Sequence, residues 1–203
     1  KGWLRAILSI IPFFIFVSFF QGFGVGLSNV LGKRGIIDFD FDKYLEIEDM
    51  RDFLVADTII QYFDLIGVLL LLWVLMRFVD KEPFINLGFS LKGKVNDIIL
   101  GMTLGLLLMA VGYTILILLG EIKFIEFNYD LKNIILLFLL FIAVSIAEET
   151  YVRGYVLKNL LQSFNPIISL IISSAIFSLL HFFNPNVNYI ALTELFIAGI
   201  LLG

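Results

Sequence analysis

The segment from Ile98 to Leu119 contains 22 residues and no charged side chain. A helix needs about 20 consecutive apolar residues to cross the hydrocarbon core of a bilayer, so this segment is long enough to span a membrane. Two similar segments, Leu4 to Val30 and Ile59 to Val79, contain only one and two charges. Hydrophobic residues make up 60% of the 203-residue chain, which is more than soluble proteins usually contain. The sequence therefore predicts an integral membrane protein with several spanning helices.

The second half of the chain continues this helical pattern. Three further apolar segments are predicted to be helices: Lys132 to about Phe164, Pro166 to about Phe183, and Ile190 onward past Gly203. The first two separate at Asn165-Pro166, because proline cannot continue a helix interior and biases the preceding residue away from helical geometry. The predicted fold class is all-α, a polytopic membrane helical bundle with about six transmembrane or near-transmembrane helices. No internal repeat or linker is visible, which favours a single integral membrane domain over residues 1–203.

Acidic residues are concentrated in a predicted extramembrane loop, residues 33–58, and the formal net charge is −4. A chain this acidic is a poor binder of nucleic acid, so we expect no nucleic-acid partner. Lysine and arginine favour a cytoplasmic N-terminus by eight residues against six. The abundance of isoleucine, phenylalanine, leucine and asparagine suggests a bacterial plasma membrane. The absence of cysteine excludes disulfides, thiolate metal ligands and a cysteine nucleophile.

The first two predicted helices contain small and polar residues that packing can explain. Gly22 and Gly26 lie four residues apart, a spacing that lets neighbouring helix backbones approach closely. Gln61 and Asp64 could line an ion path, although an interfacial polar pair is the favoured interpretation. A transporter is therefore only a third hypothesis for this chain.

Charged residues interrupt the apolar pattern most abruptly at Glu148, Glu149 and Arg153, which follow the apolar run from Ile134 to Ala147. Charges within membrane-like sequence are costly and usually functional. Glu149 and Arg153 are four residues apart, so they share a helix face and can pair. Glu148 points about 100° away from that face. The pairing therefore leaves Glu148 available for chemistry.

The only histidine, His181, ends the next predicted helix. Glu149 and His181 each lie about 16 residues from the Asn165-Pro166 break, or roughly 25 Å at 1.5 Å per residue. Antiparallel neighbouring helices would therefore place them at similar depth. Three residues share the helix face of His181 and are candidates for substrate binding or packing: Ser174, Phe177 and Ser178.

A carboxylate beside an imidazole can activate water for hydrolysis. Glu148 or Glu149 would take a proton from water, and His181 would orient that water or polarise the substrate. Two adjacent carboxylates can titrate as a coupled pair, so the residues alone leave open which glutamate is the base. The structural alternative is an ion-paired helix end with a capping histidine.

Other hydrolase classes fit the sequence less well. It contains no HExxH motif, no G-x-S-x-G nucleophile elbow and no P-loop. A zinc site would need carboxylates to complete it around a single histidine, so zinc is possible but not expected. We predict no cofactor and no metal-ligating residue.

The motifs Glu148-Glu149-x-x-x-Arg153 and Phe177-x-x-x-His181 each close an apolar helix. Together they resemble the CPBP superfamily of intramembrane proteases, also called the Abi family. This superfamily includes the type II CAAX prenyl endopeptidases and the bacteriocin-processing and immunity proteins. The similarity runs from about Leu87 to Gly203, which is the expected protease core.

By this resemblance, Glu148 is the catalytic base and activates water together with His181. Glu149 and Arg153 organise the site, and Phe177 packs the histidine face. The implied protein is a glutamate-type endopeptidase with no obligatory metal, built as an all-helical membrane bundle. Its implied substrate is a membrane-associated peptide or protein, of the CAAX-like or of the leader and bacteriocin-processing type. Its partners would be that substrate and the lipid bilayer.

The family also has a third motif, a histidine followed four residues later by asparagine or aspartate, on a helix beyond the one that contains Gly203. This motif helps to hold the oxyanion, and we expect the natural chain to continue into it. A chain without it is expected to be inactive, since a missing oxyanion donor costs about 2.7–4 kcal/mol of barrier. The alternative function is a non-enzymatic membrane immunity or scaffold protein that binds a peptide or membrane partner through the same cavity.

Overall fold

A computed structural model describes residues 1–44, 53–126, 129–182, 184 and 187–203. Within these residues the chain is helical and contains no strand. The α-helices are α1 (Gly2–Leu8), α2 (Ile10–Lys33), α3 (Phe41–Tyr44), α4 (Leu54–Val74), α5 (Val95–Leu119), α6 (Leu131–Glu149), α7 (Lys158–Leu161), α8 (Pro166–Leu180) and α9 (Tyr189–Leu202). Two π-helical segments, π1 (Leu75–Asp80) and π2 (Thr150–Leu157), extend α4 and α6, and a 3₁₀ turn covers Phe84–Leu87.

Four helical segments are long and apolar enough to cross a membrane: Gly2–Lys33, Leu54–Asp80, Val95–Leu119 and Leu131–Leu161. The helices α8 and α9 are apolar but shorter. These six segments correspond to the six predicted helices. The prediction of an all-α, polytopic membrane protein is therefore confirmed.

The second span begins earlier than the sequence pattern indicated. It starts at Leu54, five residues before the predicted Ile59, and α3 also falls inside the predicted 33–58 loop. A buried aromatic cluster explains the extension, because Phe53 and Ala56 in the first turn pack against Phe39. The acidic residues between positions 45 and 52 lie outside the described part of the chain.

Tyr44 strengthens this cluster with a hydrogen bond. Its hydroxyl donates to Asp57 Oδ1 at 3.0 Å. Burial and the Asp57 carboxylate raise the pKa of Tyr44 to about 12, so the phenol stays protonated and keeps donating at neutral pH. The bond ties α3 to the first turn of α4.

The described residues form two compact units. The larger contains Lys1–Gly88 and Lys132–Gly203, and the smaller contains Phe89–Leu131 with α5. Every residue predicted to form the functional site lies in the larger unit. The organisation of residues 1–203 as a single domain stays a prediction.

The helices α2 and α4 approach closely at one glycine. A Cβ at Gly24 would come within 2.8 Å of the Ile60 Cα atom, so only glycine allows this separation. The predicted close approach at Gly22 and Gly26 is wrong, because a Cβ at either position would meet no described atom within 4 Å. Gly22 and Gly26 have the four-residue spacing, but Gly24, which lies between them, is the glycine that faces α4.

A polar pair lies on the same α2–α4 contact. Gln21 Nε2 donates to Asp64 Oδ2 at 2.7 Å, and Asp64 is buried. This hydrogen bond crosses between two helices, as buried polar groups in membrane bundles usually do. Asp64 therefore pairs with Gln21 of α2 and not with Gln61 of its own helix, and this pair helps to pack α2 against α4.

We expect Gly24→Val to destabilise the larger unit by about 1–3 kcal/mol, the usual cost of overpacking. The added side chain has to push α2 away from the α4 backbone. Gly22→Val is the matched control, because it adds the same atoms two residues away in open space. Thermal unfolding in detergent should separate the two variants, and equal melting temperatures would contradict the observed contact.

Basic residues gather at one end of the larger unit, here called the basic end: Lys1, Arg5, Arg77, Lys81 and Lys158. Two ion pairs hold this end together. Arg5 Nη1 contacts Asp80 Oδ1 at 2.7 Å, and Lys158 Nζ contacts Glu82 Oε2. Because cytoplasmic ends of spans are enriched in lysine and arginine, the basic end is the expected cytoplasmic end.

The hydrogen bond from Lys158 lowers the pKa of Glu82 below its ordinary value of 4.5. A lowered carboxyl pKa stabilises the fold above 4.5, and this contribution disappears as the pH falls through the native value. The Glu82→Gln variant should therefore lose a small part of its stability, under about 1 kcal/mol, at pH 7. At pH 3 the parent and the variant should melt alike. Melting curves across this range measure the effect, with Glu126→Gln as control.

Candidate active site

The site begins at the junction of α6 and π2, where the α-helical winding changes to π-helical winding. Glu148 and Glu149 are the last residues of α6, and Arg153 lies in π2. Such π-helical segments are rare and frequently occur at functional sites. The change of winding re-aims the side chains that follow the two glutamates.

Contacts from three directions hold π2 in place. Tyr151 is fully buried, stacks on Phe13 with ring centroids 4.0 Å apart, and its hydroxyl lies 3.1 Å from Ser9 Oγ. Ser173 Oγ on α8 donates to the Val152 carbonyl at 3.4 Å. A Cβ at Gly154 would come within 2.7 Å of the carbonyl oxygen of Leu87, which precedes α5. The π2 backbone is therefore fixed by packing against the first span, α8 and the Leu87 carbonyl.

The helix α8 starts at the predicted break. The Asn165 side chain accepts a hydrogen bond from Ile168 N at 2.9 Å, and Pro166 occupies the first helical turn. The turn before it lies at the basic end, because Ser163 Oγ accepts from Trp3 N at 3.1 Å. Since α6 to α7 and α8 are antiparallel around this turn, residues equally distant from it meet.

Glu148 and His181 meet across this helical hairpin. The Glu148 Oε1 and His181 Nε2 atoms are 3.4 Å apart. The other ring nitrogen, Nδ1, lies 2.9 Å from the Phe177 carbonyl oxygen, which can only accept a hydrogen bond. His181 therefore carries a proton on Nδ1 and turns Nε2 toward the carboxylate.

Glu149 and Arg153 form a second pair. Arg153 Nη1 lies 3.0 Å from Glu149 Oε1, and the side-chain exposures are 13% and 47%. The guanidinium also sits over the Phe177 ring, with Cζ 4.5 Å from its centroid. Phe177 contacts His181 edge-on, with ring centroids 4.8 Å apart. Phe177 therefore links the two ionic pairs.

The two serines on the histidine helix face α9. Ser178 Oγ donates to the Leu192 carbonyl at 2.7 Å. Ser174 is buried where α9 comes closest, since a Cβ at Gly199 would lie 2.9 Å from Ser174 Cβ. Of the two roles predicted for these serines, the contacts favour packing over substrate binding.

The length of α8 gives the expected depth of the site. Its 15 residues span about 22 Å, less than the roughly 30 Å of a hydrocarbon core. If α8 begins at one membrane surface, His181 ends the helix within the hydrocarbon core. Non-helical backbone at this depth is tolerated where it is buried in protein or lines a water-filled cavity. The Glu148 side chain is 37% exposed, which fits access by water.

A metal site is not evident in the part of the chain that the structure describes. No group of three or more histidine, aspartate or glutamate side chains is close enough there to hold an ion. The residues that meet at the site offer one imidazole and two carboxylates, one of them engaged by Arg153. Metal independence stays a prediction.

Several contacts around the site were not predicted. The sequence did not indicate the π-helical winding after Glu149, the hydrogen bond from Ser173, or the stacking of Tyr151. The one usable signal was the composition of Thr150–Leu157, where a threonine, an arginine, a glycine and two tyrosines interrupt a span that is mostly aliphatic before it. Tyrosines buried in an apolar helix need partners for their hydroxyls, which points to a neighbouring polar contact.

Comparison with known proteins gives one match. Residues 130–203 match the family model "Type II CAAX prenyl endopeptidase Rce1-like". No curated protein and no solved structure matches the chain significantly. The matched segment contains α6, π2, α7, α8 and α9, and so includes both ionic pairs. The match supports an intramembrane endopeptidase in general terms. Residues 130–203 of this integral membrane chain are thus similar to the Rce1-like family of type II CAAX prenyl endopeptidases.

Proposed function

We propose that this protein is a glutamate-type intramembrane endopeptidase in which Glu148 and His181 activate water. The observation that carries the proposal is the 3.4 Å separation of Glu148 Oε1 and His181 Nε2. A carboxylate and an imidazole at this distance can bind one water molecule beside them.

The proton arrangement at His181 supports this assignment. Because Nδ1 donates to the Phe177 carbonyl, Nε2 faces Glu148 either as an acceptor or, when the ring is cationic, as a donor. Two bare acceptors would repel each other, so the pair holds a proton between its atoms. Glu148 takes a proton as the water oxygen attacks the peptide carbonyl carbon, and that proton is later delivered to the leaving amine as the C–N bond breaks.

The second pair supplies a different function. Arg153 engages Glu149, so the neighbouring carboxylates occupy different environments. In this proposal the Glu149 carboxylate pairs with the buried guanidinium, while Glu148, which faces His181, exchanges protons with the attacking water. Environments that separate two carboxylates in this way are typical of acid and base assignments in hydrolases. Glu149 and Arg153 organise the site in this proposal.

The substrate class follows from the position of the site. A peptide that lies in or on the membrane can reach a carboxylate at the depth expected for this site. A membrane-associated peptide or protein, of the CAAX-like or of the leader and bacteriocin-processing type, meets this requirement. The proposed location is the bacterial plasma membrane, and the substrate lies in its lipid bilayer.

The test uses the full-length protein in lipid vesicles and a library of membrane-associated peptides. Hydrolysis in water labelled with oxygen-18 should place the label in the new carboxyl group of the product. Specific binding of peptides without any cleavage would instead favour the non-enzymatic immunity or scaffold function. Mass spectrometry of products and of retained peptides distinguishes these outcomes.

Cleavage should be unaffected by chelators. The proposed mechanism uses Glu148 and His181 without an ion, so treatment with EDTA or 1,10-phenanthroline should leave the rate within about twofold of the untreated rate. A rate that falls and recovers on addition of Zn²⁺ would contradict glutamate-type catalysis and would indicate metal-assisted hydrolysis.

A further inference from the structure

A cleft of about 340 Å³ opens beside the basic end, away from the two ionic pairs of the candidate active site. Its walls are apolar and are formed by residues of α1, α2 and π1: Leu4, Leu8, Pro12, Leu75 and Val79. Leu4, Leu8 and Val79 are each more than 40% exposed, so the walls are open to the surrounding lipid. The volume lies at the low end of the range for small-molecule sites in proteins.

The rim of the cleft carries a fixed positive charge. Arg5 lines the cleft, and its guanidinium is held by Asp80, whose side chain is only 4% exposed. The Arg5 side chain remains 37% exposed, so its other donors can reach a ligand. Around it, the basic end has five basic residues against the two acidic residues paired with them, Asp80 and Glu82, an excess of three positive charges.

A hydrogen-bond donor lies at the base of the cleft. Tyr155 of π2 lines the cleft and is fully buried. Its hydroxyl interacts with the Asp80 carboxylate, which also holds Arg5. The base of the cleft is therefore satisfied within the protein, and the apolar wall and the rim determine which ligand can bind.

We propose that this cleft binds one anionic phospholipid of the surrounding leaflet. The phosphodiester lies against Arg5, and an acyl chain packs along the leucine, proline and valine wall. A phosphodiester presents only acceptors, and the cleft presents donors, which is the required complementarity. Basic pockets between spanning helices on the cytoplasmic side bind anionic head groups in this way.

The chemistry of the cleft favours a lipid over a soluble anion. A free phosphate would bind Arg5 but would make no contact with the apolar wall. A zwitterionic phospholipid would fill the wall but would add a cationic group beside the excess positive charge. An anionic phospholipid is complementary to both the wall and the rim.

The test is native mass spectrometry of the full chain after reconstitution with equal amounts of phosphatidylglycerol and phosphatidylcholine of identical acyl chains. We expect one phosphatidylglycerol molecule to be retained preferentially. Arg5→Gln should reduce its retention roughly fivefold, the usual effect of one basic residue near an anionic lipid surface. Val79→Trp should reduce it as well, because the indole fills the cleft without changing any charge. Arg77→Gln is the matched control, since Arg77 is exposed at the same end and does not line the cleft.

Three outcomes would overturn the proposal. Equal retention of the two lipids would show that charge does not select the occupant. An equal loss in Arg77→Gln would indicate general attraction to the membrane surface. Displacement of the lipid by inorganic phosphate alone would assign the site to a soluble anion. If Arg5→Gln fails to fold because Asp80 loses its partner, Arg5→Lys and Val79→Trp still decide the question, since Arg5→Lys should keep its lipid.

Discussion

In the full-length protein, Glu148→Gln and His181→Ala should each lower kcat by about 10²- to 10⁴-fold, the usual contribution of a positioned acid or base. Glutamine keeps the size of Glu148 but cannot take a proton from water. Alanine at His181 removes the Nε2 atom that lies 3.4 Å from the carboxylate. The double variant should be little worse than either single variant, because the two residues act as a unit.

The controls for this prediction separate chemistry from folding. Glu121→Gln makes the same chemical change outside the larger unit and should leave kcat unchanged. The melting temperature of Glu148→Gln should stay close to that of the parent, since Glu148 is partly exposed and amide and carboxylate are nearly isosteric. If Glu148→Gln keeps full activity while Glu149→Gln loses it, the base is Glu149 and the roles of the two carboxylates are reversed.

The similar depth of the two glutamates and His181 follows from features that a sequence contains, whereas the choice of Glu148 as the partner of His181 also rests on the family resemblance. Asn165-Pro166 fixes the turn between two antiparallel helices, and the rise per residue fixes the depth of every residue on each side. The i to i+4 spacing likewise places Glu149 beside Arg153. These arguments need only local geometry and one reliable break, so they hold without knowledge of the rest of the bundle.

The details around these pairs depend on contacts between distant segments. The π2 winding is stabilised by Ser9 and Phe13 from the first span and by the carbonyl of Leu87, none of which is visible from residues 150–157 themselves. The same dependence on distant segments explains why the spacing of Gly22 and Gly26 gave a wrong prediction, whereas Gly24 makes the contact with α4. In a helix that is apolar on every side, the sequence pattern does not distinguish the lipid-facing side from the protein-facing side.

The burial of the second pair differs between its members, and this difference predicts unequal effects on stability. Arg153 is 13% exposed and Glu149 is 47% exposed. Glu149→Leu therefore leaves the more buried charge, the Arg153 guanidinium, without its partner. We expect a loss of about 3 kcal/mol, near the low end for breaking a buried ion pair. Arg153→Met leaves a half-exposed carboxylate that water can solvate, and should cost less. Equilibrium unfolding in lipid bicelles would measure both.

The double variant Glu149→Leu/Arg153→Met distinguishes a stabilising pair from one that organises the site. Replacing both charges by apolar groups removes the stranded guanidinium, so stability should return to within about 1 kcal/mol of the parent. Activity should stay low, because Arg153 no longer sits over Phe177, the residue whose ring and carbonyl both contact His181. A double variant that recovers both stability and cleavage would show that Glu149 and Arg153 serve the fold alone. A variant that is stable but inactive would show that the ion pair acts on the chemistry through Phe177 and His181.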